Sequence, residues 1–170
     1  MVQLTLPAGK FEDIYASLLP SDALVEQAGI LYVKPRQIGC NAEFVFHEYE
    51  QLSGNEFSQQ QDDYIELSAS ARARIIKKAH DLECCLVEIH THPGNWPAQF
   101  SYADKCGLEE TVPNIFWRLK NRPYLALVLA NTGFDALVWL KDPMRPIGLK
   151  KLVSGDRTYI PTNRTIKSWI

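Results

Sequence analysis

The sequence of 170 residues predicts an α+β fold in which a mixed, mainly antiparallel sheet is flanked by helices. Short apolar runs typical of strands alternate with segments of helical periodicity early in the chain. The strongest hairpin signal comes later, where Asn131-Thr132-Gly133 joins two apolar runs. No repeat, low-complexity tract or linker interrupts the pattern, so residues 1–170 are predicted to form a single domain.

The first part of the chain is predicted to contain three strands and one helix. Leu4 to Leu6 forms a short strand, and apolar residues recur at helical spacing from Phe11 to Leu18. Gly29 to Val33 is predicted to be a strand that stops at Pro35. Alternation of side-chain type from Ala42 to Tyr49 predicts a further strand of the sheet.

Polar residues dominate the next stretch. The segment from Ser53 to Asp63 contains a glycine, three glutamines and two aspartates, and is predicted to be a mobile loop. A helix is predicted from Ser68, with an apolar face at Ala71, Ile75, Ile76 and Ala79. The bases predicted to stay in water on this helix are Arg72, Arg74, Lys77 and Lys78. They indicate a solvated face, and the alternative is an electrostatic dock for an acidic partner.

The last part of the chain combines a helix with the hairpin. The buried face of this helix is predicted to comprise Leu108, Val112, Ile115, Phe116 and Leu119. Pro113 is expected to kink the helix, and Trp117 is expected to stack within the core. The hairpin strands are predicted at residues 124–130 and 134–140. Only a short edge strand, around residues 158–160, is predicted in the tail.

Composition and charge limit the function classes. Apolar residues make up 46% of the chain and charged residues 22%, which excludes a disordered or fibrous protein. A net charge of -2 and a pI near 6.1 give no general attraction to phosphate backbones, so nucleic acid is not an expected partner. No membrane span or signal peptide is recognised, and we expect a cytoplasmic protein without a membrane partner. The cysteines lack Cys-x-x-Cys spacing and are expected to be free thiols.

A group of candidate metal ligands occupies the middle of the chain. The apolar run from Cys84 to Val87 predicts a buried strand that a proline closes at position 93. Since side chains alternate along a strand, His90 and His92 point to the same side, with backbones about 6.5–7 Å apart. After seven intervening residues, Ser101-x-x-Asp104 places a hydroxyl at a predicted helix N-cap and a carboxylate one turn into the helix.

These residue types suit zinc. Two imidazole nitrogens and one carboxylate oxygen leave the fourth tetrahedral position for water, which is the arrangement of a catalytic zinc site. Each part also has a simpler alternative, since a lone His-x-His is often a polar rim or a pair of satisfied core histidines. Ser101-x-x-Asp104 alone is typical of a capping box. Together the two parts are much less ambiguous than either part alone.

The whole pattern, His90-Thr91-His92-Pro93 and then Ser101-x-x-Asp104, resembles the signature of the JAMM family of MPN-type zinc metalloproteases, which cleave ubiquitin and ubiquitin-like conjugates. The resemblance covers about residues 10 to 141. It implies a JAB/MPN-like sandwich with zinc held by His90, His92 and Asp104. It also implies that Ser101 donates a hydrogen bond to the oxyanion of the reaction.

The catalytic glutamate of JAMM proteins lies near the start of an early strand, commonly as Glu-x-x-Gly. Glu26-Gln27-Ala28-Gly29 resembles that element, which implies that Glu26 is the general base. From the residues alone, Glu26 is an ordinary exposed helix-end position. Glu88 shares the strand parity of the histidines and is a rival base or ligand, although its distance favours a structural or supporting role. Cys106 diverges by roughly 200° from the aspartate two residues earlier on a helix and is not expected to be a fourth ligand.

Within the family, the chain is most similar to small stand-alone bacterial members encoded beside ubiquitin-like conjugation proteins, the Bil-type antiphage systems. This similarity implies an isopeptidase or peptidase that removes or processes a ubiquitin-like modifier by metal-activated attack of water on the scissile carbonyl. The expected partners are the modifier, its conjugates and the cognate activating and conjugating enzymes. The alternatives are a non-catalytic MPN-like scaffold and a hydrolase of small sulfur-carrier conjugates.

Overall fold

The computed structural model describes residues 1–38 and 40–169. The strands are β1 (Val2–Leu6), β2 (Ala28–Ile38), β3 (Asn41–Gln51), β4 (Phe57–Gln60), β5 (Ile65–Leu67), β6 (Cys85–His92), β7 (Tyr124–Ala130), β8 (Gly133–Trp139), β9 (Ile147–Gly148), β10 (Lys151–Ser154) and β11 (Arg157–Tyr159). The helices are α1 (Lys10–Leu18), α2 (Ala69–Asp81), α3 (Tyr102–Arg118) and α4 (Arg164–Lys167).

Nine strands form one sheet in the order β11-β10-β1-β3-β2-β6-β7-β8-β9, and β4 and β5 form a separate hairpin. Pairing is parallel where β1 meets β10 and β3, and where β6 meets β7. The other neighbours in the large sheet are antiparallel. The prediction of an α+β fold with a mixed sheet and flanking helices is therefore confirmed.

The two faces of the sheet carry two apolar cores. Helix α1 packs on one face through Phe11, Ile14 and Leu18, and helices α2 and α3 cover the other. Strand β6 is buried on both faces, with Val87 and Ile89 toward α1 and Leu86 toward α2 and α3. Because side chains alternate along a strand, the even-numbered residues of β6 face α2 and α3. The fold thus directs both motif histidines toward the beginning of α3.

The prediction that Pro35 ends the second strand is wrong, because β2 continues to residue 38. Beyond Val33, β2 pairs with β3 and no longer with β6, so this part of β2 lies at an edge. Proline is tolerated at such an edge because its missing N–H has no ladder partner to satisfy. Pro35 is opposite Phe44 in the register.

The prediction that Ser53 to Asp63 form a loop is also wrong. The chain makes a short 3-10 turn at Gly54–Glu56 and then enters β4, which pairs with β5. The tail contains more than the one predicted edge strand, since β10 pairs with β1 and β11 while α4 packs near β8. Thr165 of α4 is anchored by Asp135, whose Oδ2 accepts from its amide at 2.9 Å and from its hydroxyl at 2.7 Å.

Two side-chain predictions on the helices are corrected as well. Trp117 is 78% exposed, because it follows the buried Phe116 and successive helix positions are turned by about 100°. Arg72 does not stay in water: its side chain is 26% exposed and pairs with Glu88. It precedes Ile75 and Ile76 by three and four residues, which places it on the inward face of α2. Among the described residues, no helix combines the length and the hydrophobicity required to cross a bilayer.

Candidate metal centre

The centre is built at the point where β6 ends and α3 begins. His90 and His92 are both buried and lie on the face of β6 that α3 covers. Ser101 is the N-cap of α3, and Asp104 lies in its first turn. The predicted strand and the predicted helix start therefore bring the two imidazoles and the carboxylate together, because the intervening loop returns the chain to the same end of the sheet.

The distances within this group fit a metal ion. Nε2 of His90 lies 3.3 Å from Oδ1 of Asp104, and Nε2 of His92 lies 3.2 Å from Oδ2. Two ligands of a tetrahedral zinc ion, at bond lengths of about 2.0–2.1 Å, are about 3.3 Å apart. One ligand atom from each of the three residues lies within 4.8 Å of the other two. The group could therefore hold a metal ion.

One nitrogen of the group lacks a conventional partner. Nε2 of His90 is buried and makes no hydrogen bond, although it faces the carboxylate of Asp104. On the other imidazole, Nδ1 of His92 lies 3.4 Å from the carbonyl oxygen of Pro97. With its proton on Nδ1, His92 donates to that carbonyl and leaves Nε2 as the ligand atom, an arrangement common around metal-bound histidines.

His90 and Asp104 each stabilise the charged form of the other. Burial disfavours the charged forms, but the attraction between His90 and Asp104 outweighs it. The pKa of His90 is raised to about 9, and the pKa of Asp104 is held well below its usual range. The carboxylate is thus ionised at neutral pH, and the protonated form of His90 balances its charge.

Glu26 lies directly beside this group and not on the surface. Its residue is 2% exposed, and Oε1 lies 3.6 Å from Nε2 of His92. Strands β2 and β6 are antiparallel, and Ala28, the first residue of β2, is paired with His90. The same register continues to the residue before β2, because the amide of Thr91 donates to the carbonyl of Gln27 at 3.1 Å. This register brings Glu26 opposite His92. Burial raises the pKa of Glu26 to about 7, and its Oε2 is buried without a hydrogen-bond partner.

The β4–β5 hairpin fixes the main chain of Glu26. The amide of Glu26 donates to the carbonyl of Gln61 at 2.7 Å, and Nε2 of Gln60 donates to the carbonyl of Glu26 at 2.8 Å. Neither glutamine is identifiable from the sequence pattern, because a polar segment with a turn is equally typical of a loop. The signal available in the sequence was the pair of short runs on either side of Asp62-Asp63.

Ser101 acts as a helix cap in the structure. Its hydroxyl accepts from the amide of Asp104 at 3.1 Å, and its own amide donates to Oδ2 of Asp104 at 2.6 Å. This reciprocal capping box holds the carboxylate of Asp104 against the histidines. Because the hydroxyl only accepts in this contact, its hydrogen is left for another acceptor at the centre.

The two rival residues lie outside the group. Glu88 accepts from the hydroxyl of Tyr124 at 2.6 Å and pairs with Arg72 at 3.5 Å, so its partners are not the imidazoles. Cys106 is exposed and does not join the three-residue group. Cys84 and Cys85 are buried, as expected for core positions.

Gly29 packs closely against the side chain of Tyr49. A Cβ at this residue would approach the ring and hydroxyl of Tyr49 to 2.8 Å, so only glycine fits beneath that ring without a shift.

No protein-family model matches the chain, and a comparison with curated proteins finds no match either.

Proposed function

We propose that this protein is a zinc-dependent hydrolase of the JAMM type, with a JAB/MPN-like fold, which cleaves isopeptide or peptide bonds at the C-terminus of a ubiquitin-like modifier. The observation that carries the proposal is the position of Glu26. A buried carboxylate, 3.6 Å from a metal-ligating imidazole but outside the three-residue ligand group, has the place of a general base. A metal site of purely structural type has no need of such a group, since its fourth position is filled by protein.

The donor set favours zinc. His90, His92 and Asp104 provide two nitrogens and one oxygen, which is the ligand number and type of catalytic zinc sites. When bound there, zinc would lower the pKa of a coordinated water and polarise the scissile carbonyl. The chain would contribute the placement of the ligands, through strand β6 and the capping box of α3.

Proton transfer is assigned to Glu26. Its pKa of about 7 allows the carboxyl to accept a proton and to give it up again near neutral pH. It would take the proton from the attacking water at Oε1 or Oε2 and deliver it to the leaving amine. The hydrogen bonds from the β4–β5 hairpin fix the main chain of Glu26, from which this carboxyl extends.

Ser101 is assigned to the developing oxyanion. Its hydroxyl oxygen already accepts from the amide of Asp104, so its orientation is set while its hydrogen is available for donation. A donor aimed at the tetrahedral oxygen would stabilise negative charge that is absent from the ground state. The same side chain thus caps the helix and serves the reaction.

The modifier and its conjugates are the proposed substrates on the strength of the motif resemblance, with a role in a Bil-type antiphage system in the cytoplasm. The direct test uses zinc-loaded protein and a fusion whose scissile bond follows the C-terminus of a ubiquitin-like protein encoded beside this gene. Cleavage at that bond, and loss of cleavage after chelation and its return with zinc, are the expected results. An intact fusion at full zinc occupancy would contradict the proposal and favour a non-catalytic scaffold.

A further inference from the structure

A cavity of about 200 Å³ adjoins the metal centre. His90 and Asp104 form part of its wall, so a group inside the cavity would lie next to the metal centre. The β4–β5 hairpin closes one side, the first turns of α3 close another, and β6 and β7 form the floor. The apolar residues that line the cavity include Ala28, Phe57, Leu67, Phe100, Leu108 and Ala126.

The cavity has a charged end away from the metal ligands. Glu88 occupies the same face of β6 as His90, one side-chain repeat or about 7 Å along the strand. Arg72 reaches the same place from α2, and its Nη1 lies 3.5 Å from Oε2 of Glu88. A side chain that enters beside His90 and extends along β6 would therefore place its terminal atoms at the guanidinium and the carboxylate.

The hydrogen-bonding capacity of this pair is incompletely used. Oε2 of Glu88 accepts a short bond of 2.6 Å from the hydroxyl of Tyr124, which leaves Oε1 as the acceptor with spare capacity. Arg72 has five N–H donors, and Glu88 is its one ion-pair partner among residues 1–38 and 40–169. Both side chains are about three-quarters covered, at 26% and 24% exposure, and both line the cavity. The end of the cavity thus presents donors and an acceptor side by side.

We infer that this cavity is a specificity pocket for a glutamine side chain of the substrate, close to the scissile bond, with Arg72 and Glu88 as the residues that recognise its carboxamide. The inference rests on the proposed hydrolase function. A carboxamide is the group that matches the pair, since its oxygen accepts from Arg72 and its NH2 donates to Glu88. It is also neutral, so the balance between the guanidinium and the carboxylate is preserved when it binds.

Charged side chains fit this pocket less well. An acidic side chain would meet Glu88 inside and would pass Glu66 and Glu110, which line the cavity from β5 and α3. A lysine would be attracted by these carboxylates, but its ammonium would meet the guanidinium of Arg72 at the charged end, whereas a carboxamide can bind both members of the pair. An aliphatic side chain would fill the apolar section but would leave the donors of Arg72 unpaired, which is costly at a covered site.

The test uses modifier fusions in which Gln, Asn, Glu, Lys, Leu or Ala is placed singly at each of the two residues before and the two residues after the scissile bond. Wild-type protein should prefer Gln over Leu and Glu at one of these positions, by about tenfold or more in kcat/KM. Arg72→Met should reduce that preference to about threefold or less, because it removes the donors and keeps the length of the side chain.

Arg74→Met is the matched control, since Arg74 lies on the same helix but pairs with Glu50 and Glu56. It should keep the wild-type profile, and zinc content and melting temperature should be compared for both variants. Wild-type protein that cleaves the whole series without a Gln preference would overturn the pocket assignment, whether or not Arg72→Met folds. An unchanged Gln preference in a folded Arg72→Met variant would overturn it too, whereas absence of any cleavage would contradict the proposed function itself.

Discussion

Glu26 lies two residues before β2 and His92 is the last residue of β6, more than sixty residues later in the chain, yet Oε1 of Glu26 lies 3.6 Å from Nε2 of His92. The contact is made because β2 and β6 are antiparallel neighbours with Ala28 opposite His90. The polar groups of the Glu26 main chain are bound by the β4–β5 hairpin. The proposed base and a proposed metal ligand are thus held by the same pair of strands.

Metal stoichiometry is the first prediction. The protein should bind one zinc ion per chain, and His92→Ala should lose most of it, because two remaining ligands cannot complete the protein part of the coordination sphere. Elemental analysis of the purified proteins measures this. Full zinc occupancy in a folded His90→Ala/His92→Ala double variant would remove the basis of the assignment.

Metal affinity should increase with pH. The pKa of His90 in the metal-free protein is raised to about 9, so below that pH a metal ion has to displace one proton. The apparent affinity for zinc should therefore rise about tenfold per pH unit between pH 7 and 9 and then level off. Competition with a chelator across this range gives the slope, and a pH-independent affinity would contradict the protonated state of His90.

His90 should also make the stability of the metal-free protein decrease as pH rises. Because the folded-state pKa of His90 lies above the unfolded value of about 6.5, protonation stabilises the fold below that value. This stabilisation should be lost as pH rises through about 9. Melting temperatures of metal-free protein should decline over this window, while those of zinc-loaded protein should not show the same decline.

Ser101→Ala separates the two roles of the hydroxyl. Loss of the cap should cost about 1 kcal/mol of stability, since the amide of Asp104 loses its acceptor. If the hydroxyl also donates to the oxyanion, turnover should fall by about 10²-fold or more. Ser101→Thr keeps the hydroxyl and serves as the control. A variant with a lowered melting temperature and an unchanged rate would leave Ser101 with the capping role alone.

Two glycine substitutions should act in opposite directions. Gly29→Ala would place Cβ 2.8 Å from the ring of Tyr49 and should cost about 1–3 kcal/mol. Gly107→Ala lies in α3 with no atom within 4 Å of the new methyl group, and should stabilise by about 0.5–1 kcal/mol. Chemical denaturation of both variants checks the pair, and equal effects would mean that Tyr49 moves aside without cost.

Much of the centre was predictable because its geometry is local. Strand alternation placed His90 and His92 on one side, and the capping box placed Asp104 one turn into α3. The burial of Glu26 was not predictable from its neighbours, since it depends on which strand pairs with β6 and in which register. The family resemblance supplied that residue where periodicity could not.

The remaining differences also arise from contacts between distant parts of the chain. Strand β4, Phe-Ser-Gln-Gln, lacks the apolar alternation that marks a half-buried strand, and β5 has only three residues, too few for its alternation to identify a strand. Strand β10 pairs in parallel with β1, which lies at the other end of the chain. The sequence of two such short segments does not predict that they pair. Arg72 pairs with Glu88 on β6, a partner that the sequence of α2 does not identify.

The central claim is that Glu26 moves the proton and does not bind the metal, and Glu26→Gln tests it most directly. Glutamine keeps the shape of the side chain and removes its basicity. Glu48→Gln is the control, because Glu48 pairs with Lys78 and is 43% exposed. The measurement is the cleavage rate of the modifier fusion at matched zinc content. We predict that Glu26→Gln retains its zinc and fold but loses at least about 10²-fold in rate, with Glu48→Gln unchanged. A fully metallated Glu26→Gln variant that cleaves at the wild-type rate would contradict the account.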